Sequence, residues 1–72
     1  MHPIKRYRMV KGWTQKQLAE NVGVTYQTVQ FWEKGTTPWP KHLPKLAEAL
    51  EVSPGQLVNE IETWNKEEKS RQ

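Results

Sequence analysis

Cysteine is absent from these 72 residues, which excludes disulfides and thiolate metal sites. No apolar run approaches the length of a bilayer span. The opening Met-His-Pro-Ile-Lys-Arg is positively charged but has no apolar stretch behind it, so it does not read as a signal peptide. These absences predict a reduced, cytoplasmic location and no membrane partner. Strand-like alternation of useful length is missing as well. His2 and His42 have no third ligand candidate nearby, so both read as surface histidines and no metal site is expected. Hydroxyls and carboxylates are plentiful, yet none is paired with a base or set around a pocket. No catalytic constellation, cofactor or small-molecule substrate is therefore expected. Gly12, Gly23 and Gly35 are too widely spaced to form a phosphate-binding loop and read as helix stops.

What is present points to one small helical domain. A chain of this length forms one domain at most, with little surplus core. Its net charge of +3 is unevenly divided. Residues 1–45 hold Lys5, Arg6, Arg8, Lys11, Lys16, Lys34, Lys41 and Lys45 against Glu20 and Glu33, a net of +6. Residues 46–72 carry a net of −3. A basic end facing a polyanion and an acidic end facing elsewhere would explain this, although sign clusters also arise by chance in short chains.

The breaker residues cut the chain into helix-sized pieces. Pro3 to Lys11 is the first, with Pro3 suited to a first turn and Gly12 to a C-terminal cap. Thr14 caps a helix from about Gln15 to Val22, in which Leu18, Ala19 and Val22 form one apolar face. Gly23 follows where a left-handed residue would end it. Thr25 opens a third helix to about Lys34, with Val29 and Trp32 inward. Pro38 and Pro40 stiffen the loop around Trp39, which is expected to pack on the fourth helix or to meet a partner subunit. The fourth helix runs from about Lys41 to Leu50, with Leu43, Leu46, Ala47 and Leu50 at helical spacing. Ser53 and Pro54 start a fifth, continued by Leu57, Ile61 and Trp64. The spacing predicts a core of Leu18, Ala19, Val22, Val29, Leu43, Leu46, Ala47 and Leu50, joined by Trp13 and Trp32. Residues 1–64 thus read as an all-α, five-helix domain. Residues 65–72 read as a polar tail that frays.

Two short helices joined at Gly23 have the layout of a helix-turn-helix. In that motif the second helix buries one face and offers the other to base edges in the major groove. The chain resembles the Cro and phage-repressor (Xre-type) helix-turn-helix family over about residues 4–60. The residues that carry the resemblance are Trp13-Thr14-Gln15, Leu18-Ala19, Val22-Gly23-Val24-Thr25, Val29, Trp32-Glu33-Lys34-Gly35 and Leu46-Ala47-Glu48-Ala49-Leu50-Glu51-Val52. Leu43-Pro44-Lys45-Leu46-Ala47 is similar to the start of the fourth helix in small lambdoid phage repressors.

The resemblance implies a compact lambda-repressor-like fold and a sequence-specific regulator of double-stranded DNA, a repressor, with no enzymatic activity. It implies base contacts at Tyr26, Gln27, Gln30 and Phe31. It implies phosphate contacts at Gln15, Thr25, Thr28 and Lys41, and a structural ion pair between Arg8 and Glu33. Gln27 can pair with adenine N6 and N7, and the natural target of Phe31 is a thymine methyl. Phe31 stands where the family commonly carries a polar residue.

Leu57, Ile61 and Trp64 have two readings: an extension of the core, or the seam of a homodimer on an inverted-repeat operator. The second is favoured, because four helices already suffice for a bundle. Two other functions fit the same fold. One is an antitoxin or restriction-control regulator. The other is a protein-interaction module that does not read DNA, for which exposed Tyr26, Phe31 and Trp39 would serve.

Overall fold

Three hydroxyl side chains start three of the five helices. The computed structural model describes residues 1–71, all helices, turns and loops. Thr14 opens α2 (Gln15–Val22): its hydroxyl accepts the Gln17 amide at 3.1 Å, and the Gln17 side chain accepts the Thr14 amide at 2.8 Å. This closed capping box satisfies backbone groups that the helix leaves unpaired. Thr25 opens α3 (Tyr26–Glu33) by accepting the Thr28 amide. Ser53 opens α5 (Pro54–Ser70) by accepting the Gln56 amide at 3.1 Å, with Pro54 in the first turn. Between α2 and α3, Gly23 takes φ 83° and ψ 34°. A side chain there would be strained, so glycine lets the two helices meet through a very short turn.

α4 departs from its expected start. Pro40–His42 form one turn of 3-10 helix, and α4 itself is Leu43–Leu50. Pro44 has no amide to donate and no side chain caps α4, so the chain enters through a tighter turn closed by His42 N–H to Trp39 O at 2.9 Å. α4 ends at Glu51, a non-glycine residue at φ 60°. The Glu51 side chain pairs with Lys11, just beyond α1 (Pro3–Val10), which ends one residue earlier than expected.

α5 continues through Asn65, where a polar tail is expected, to Ser70. The residues there are mostly good helix formers. The Ser70 hydroxyl donates to Lys66 O at 3.0 Å, and Arg71 meets Glu68 at 3.5 Å. Gln72 lies outside the described residues.

α2 packs on α3 and α4, while α5 lies across α1 and α4. The core comprises Ile4, Leu18, Ala19, Val22, Val29, Trp32, Leu46, Ala47, Leu50, Leu57 and Ile61. Trp13 and Leu43 only border it, half-buried. Leu57 and Ile61 are therefore interior residues within the single chain, as in the core-extension reading of this stripe. Four helices of eight residues do not close over their own apolar faces; the inner stripe of α5 completes the enclosure. Trp64, one turn further on, is half-buried and packs edge to face on His2, ring centres 4.7 Å apart. It also limits Gly35, where an added Cβ would lie 3.2 Å from the indole.

The surface reading of His2 is corrected too: it is only 3% exposed. Its Nδ1 accepts the Ile4 amide at 3.1 Å and so caps α1. That bond needs an unprotonated Nδ1, which places the proton of the neutral ring on Nε2. Nε2 has no hydrogen-bond partner among the described residues. Burial lowers the pKa of His2 to about 4, with the N-terminal amine adding to the effect and Glu33 opposing it. A lowered pKa means the unfolded chain binds the proton more readily. The resulting stability is complete above the ordinary value of 6.5 and is lost as pH falls from there toward 4. His2→Asn keeps a capping acceptor but does not titrate. Urea unfolding across this range should show the parent losing about 2–3 kcal/mol more than the variant. Parallel curves would assign no linkage to His2.

Candidate nucleic-acid interface

The outer side of α3 follows from what its inner side must bury. Val29 and Trp32 are in the core, three residues apart. At 100° per residue, this leaves Gln27 and Phe31 together on the opposite face, one turn apart. Both are exposed, as is Tyr26 at the first position of the helix. Gln30 is half-buried, on the flank of that face.

Gln15 and Lys16 contact α3, and Lys41 contacts the loop that follows it. Gln15, at the first position of α2, donates from Nε2 to Glu33 at 3.1 Å. Lys16 holds its ammonium 5.7 Å from the Tyr26 ring centre. Lys41, in the 3-10 turn, sits 5.1 Å over the Trp39 ring. Thr25 and Thr28 share a hydroxyl–hydroxyl bond of 3.0 Å, so the Thr25 hydroxyl is engaged in capping α3. A cleft of about 250 Å³ lies between α3 and the following loop, lined by Thr28, Phe31, Trp32, Thr36, Thr37, Trp39 and His42. Trp39 is 66% exposed. It does not join the hydrophobic core.

Arg8 and Glu33 form a two-pronged pair: Nε to Oε2 at 2.7 Å and Nη2 to Oε1 at 3.2 Å. Arg8 also donates from Nη1 to Trp13 O at 2.8 Å. The side chains are 12% and 6% exposed. This fork fixes the C-terminal end of α3 against α1. It also neutralises the one acid on α3, so Lys16, Lys34 and Lys41 face outward without acidic partners among the described residues. The Gln15–Glu33 bond was not visible in sequence, since it depends on how α2 and α3 cross.

A family model described as helix-turn-helix matches residues 4–57, from the second residue of α1 into α5. The chain belongs to the Cro/Xre-type helix-turn-helix family. It is a DNA-binding helix-turn-helix regulator by that membership, in a family that is generally non-enzymatic. The Cro/Xre motif maps onto α2, the Gly23 turn and α3. No group of three or more metal-ligating side chains occurs among the described residues. No helix among them is long and apolar enough to cross a membrane.

Tyr7 and Arg6 on α1 both bond Glu60 on α5. The bond to Glu60 raises the Tyr7 pKa, with desolvation adding to it. These contacts tie α1 to α5 and leave the α3 face untouched.

Proposed function

We propose that this chain is a cytoplasmic, sequence-specific repressor that binds an inverted-repeat operator as a homodimer. The observation that supports it is the division of α3: Val29 and Trp32 are sealed in the core, and Tyr26, Gln27 and Phe31 stand exposed on the helix's first two turns. A helix anchored in this way can lie in the major groove with its N-terminal half against base edges. Gln27 then makes a bidentate pair with adenine, and Phe31 meets a thymine methyl. Gln15 donates its second amide proton to a phosphate, alongside the free backbone amides at the start of α2. Thr25, Thr28 and Lys41 hold phosphates on either side, and Gln30 reaches the adjoining base or backbone. Occupying a promoter in this way excludes polymerase.

With Leu57 and Ile61 inside the core, the second copy needs another surface. A mostly apolar groove between the loop after α3 and α5, lined by Thr37, Pro38, Pro40, Leu43, Val58, Glu62 and the edge of Ile61, is the seam we assign to it.

The deciding experiment is a selection of bound duplexes from a random pool at two salt concentrations. An enriched inverted repeat with steep salt dependence is expected. Salt-sensitive binding with no enriched sequence would overturn base reading. No binding at either salt would favour a protein-interaction module instead, a reading for which exposed Phe31 and Trp39 are the supporting observation. Gln27→Ala should cost about 1–3 kcal/mol on the enriched site and little on random DNA. Equal losses on both would remove Gln27 from base readout.

A further inference from the structure

Phe31 is 57% exposed and Trp39 is 66% exposed, and both line the cleft beside α3. Exposed aromatics this large are unusual on a domain whose core has few apolar residues to spare. Both stand on constrained backbone. Phe31 is on a capped helix, and Trp39 is held between two prolines with Lys41 over its ring. Thr28, Thr36, Thr37, Trp32 and His42 complete the lining. No carboxylate lines the cleft.

We infer that this cleft is a receptor for the C5-methyl group of a pyrimidine in the major groove, with Trp39 as the second wall opposite Phe31. The inference rests on the DNA-reading proposal and adds a specificity element outside the helix-turn-helix. Two things select this occupant. Phe31 lies one turn along the same helix face as Gln27, so the cleft opens beside the base-reading surface. Lys41, over the outer wall, supplies the positive charge that the neighbouring phosphates need, in a segment that is net basic. The C5-methyl is the one apolar group that a standard base pair presents in the major groove. Thymine carries it, cytosine lacks it, and 5-methylcytosine regains it. Removing one buried methyl is expected to weaken binding about fourfold.

The test runs the same duplex selection from two pools, one made with thymidine and one with deoxyuridine, which differs from thymine only by the methyl. The thymidine pool should enrich a site bound about fourfold more tightly per cleft-seated methyl than its deoxyuridine counterpart. Phe31→Ala and Trp39→Ala should each erase that difference while keeping the parent melting temperature, since both side chains are mainly exposed. On the selected site, each cytosine is also replaced in turn by 5-methylcytosine. A loss with deoxyuridine assigns the methyl to thymine, and a gain with 5-methylcytosine alone assigns it to a methylated cytosine. The same site enriched and bound equally from both pools, with no response to 5-methylcytosine, overturns the cleft and leaves base reading intact. No enriched site from either pool overturns both. A methyl effect that survives in Trp39→Ala overturns the role of the second wall.

Discussion

Glu33→Ala should lower folding stability by about 3–5 kcal/mol and remove specific DNA binding with it. The size follows from what stays behind. Arg8 is nearly buried, and its guanidinium gives two of its donors to Glu33 and a third to Trp13 O. Without the carboxylate, that charge remains partly desolvated with only a carbonyl for company. A chain of this length has about 4–11 kcal/mol of stability in all, so the loss is a large share of it. Gln15 loses its tether as well, because its Nε2 is held by the same carboxylate. Glu33→Gln keeps an acceptor and the shape of the side chain but not the charge, and should lose less. Urea unfolding of both variants measures this, with DNA binding repeated at a temperature where each is folded. A loss below about 1 kcal/mol for the alanine variant would show that Arg8 finds water easily and that the pair contributes little.

How much of this molecule can be read from its sequence depends on how local the cause is. The limits of α2 follow from Thr14, Gln17 and Gly23 alone, because caps act over three or four residues. The turn into α3 is legible for the same reason. The pairing of Arg8 with Glu33 came from family resemblance, since nothing in the sequence says that α1 and α3 are adjacent. Gln15 bonding Glu33 was out of reach, because it depends on the angle between two helices. His2 shows the opposite failure. Its position next to a terminus and its polarity argue for the surface. It is buried because α5 runs long enough to bring Trp64 over it. The sequence beyond Trp64 is polar, yet polarity does not prevent the helix from running on through seventeen residues. For the DNA-facing residues, the helix period alone separates Val29 and Trp32 from Gln27 and Phe31. The cleft needs the loop as well, and loop geometry is poorly coded in periodicity.

Leu57→Ala tests the point on which sequence and structure differ most. The stripe Leu57, Ile61, Trp64 is apolar at helical spacing, and that pattern is the same for a core-facing helix and for a self-associating one. Leu57 is fully buried and Ile61 is 2% exposed within a single chain. Truncating Leu57 should therefore leave a cavity under α5 and cost about 2–5 kcal/mol. The cost should not depend on protein concentration, because no second copy is needed to bury the side chain. Urea unfolding at two protein concentrations a hundredfold apart, with sedimentation of the folded protein, separates the two cases. A core residue gives the same drop in midpoint at both concentrations and an unchanged self-association. A seam residue gives little change for the dilute protein, a midpoint that falls only where the parent is associated, and weaker self-association. The second result would mean that α5 stands away from α1 and α4 in solution. It would also weaken the cap that His2 provides to α1, since Trp64 could no longer cover it.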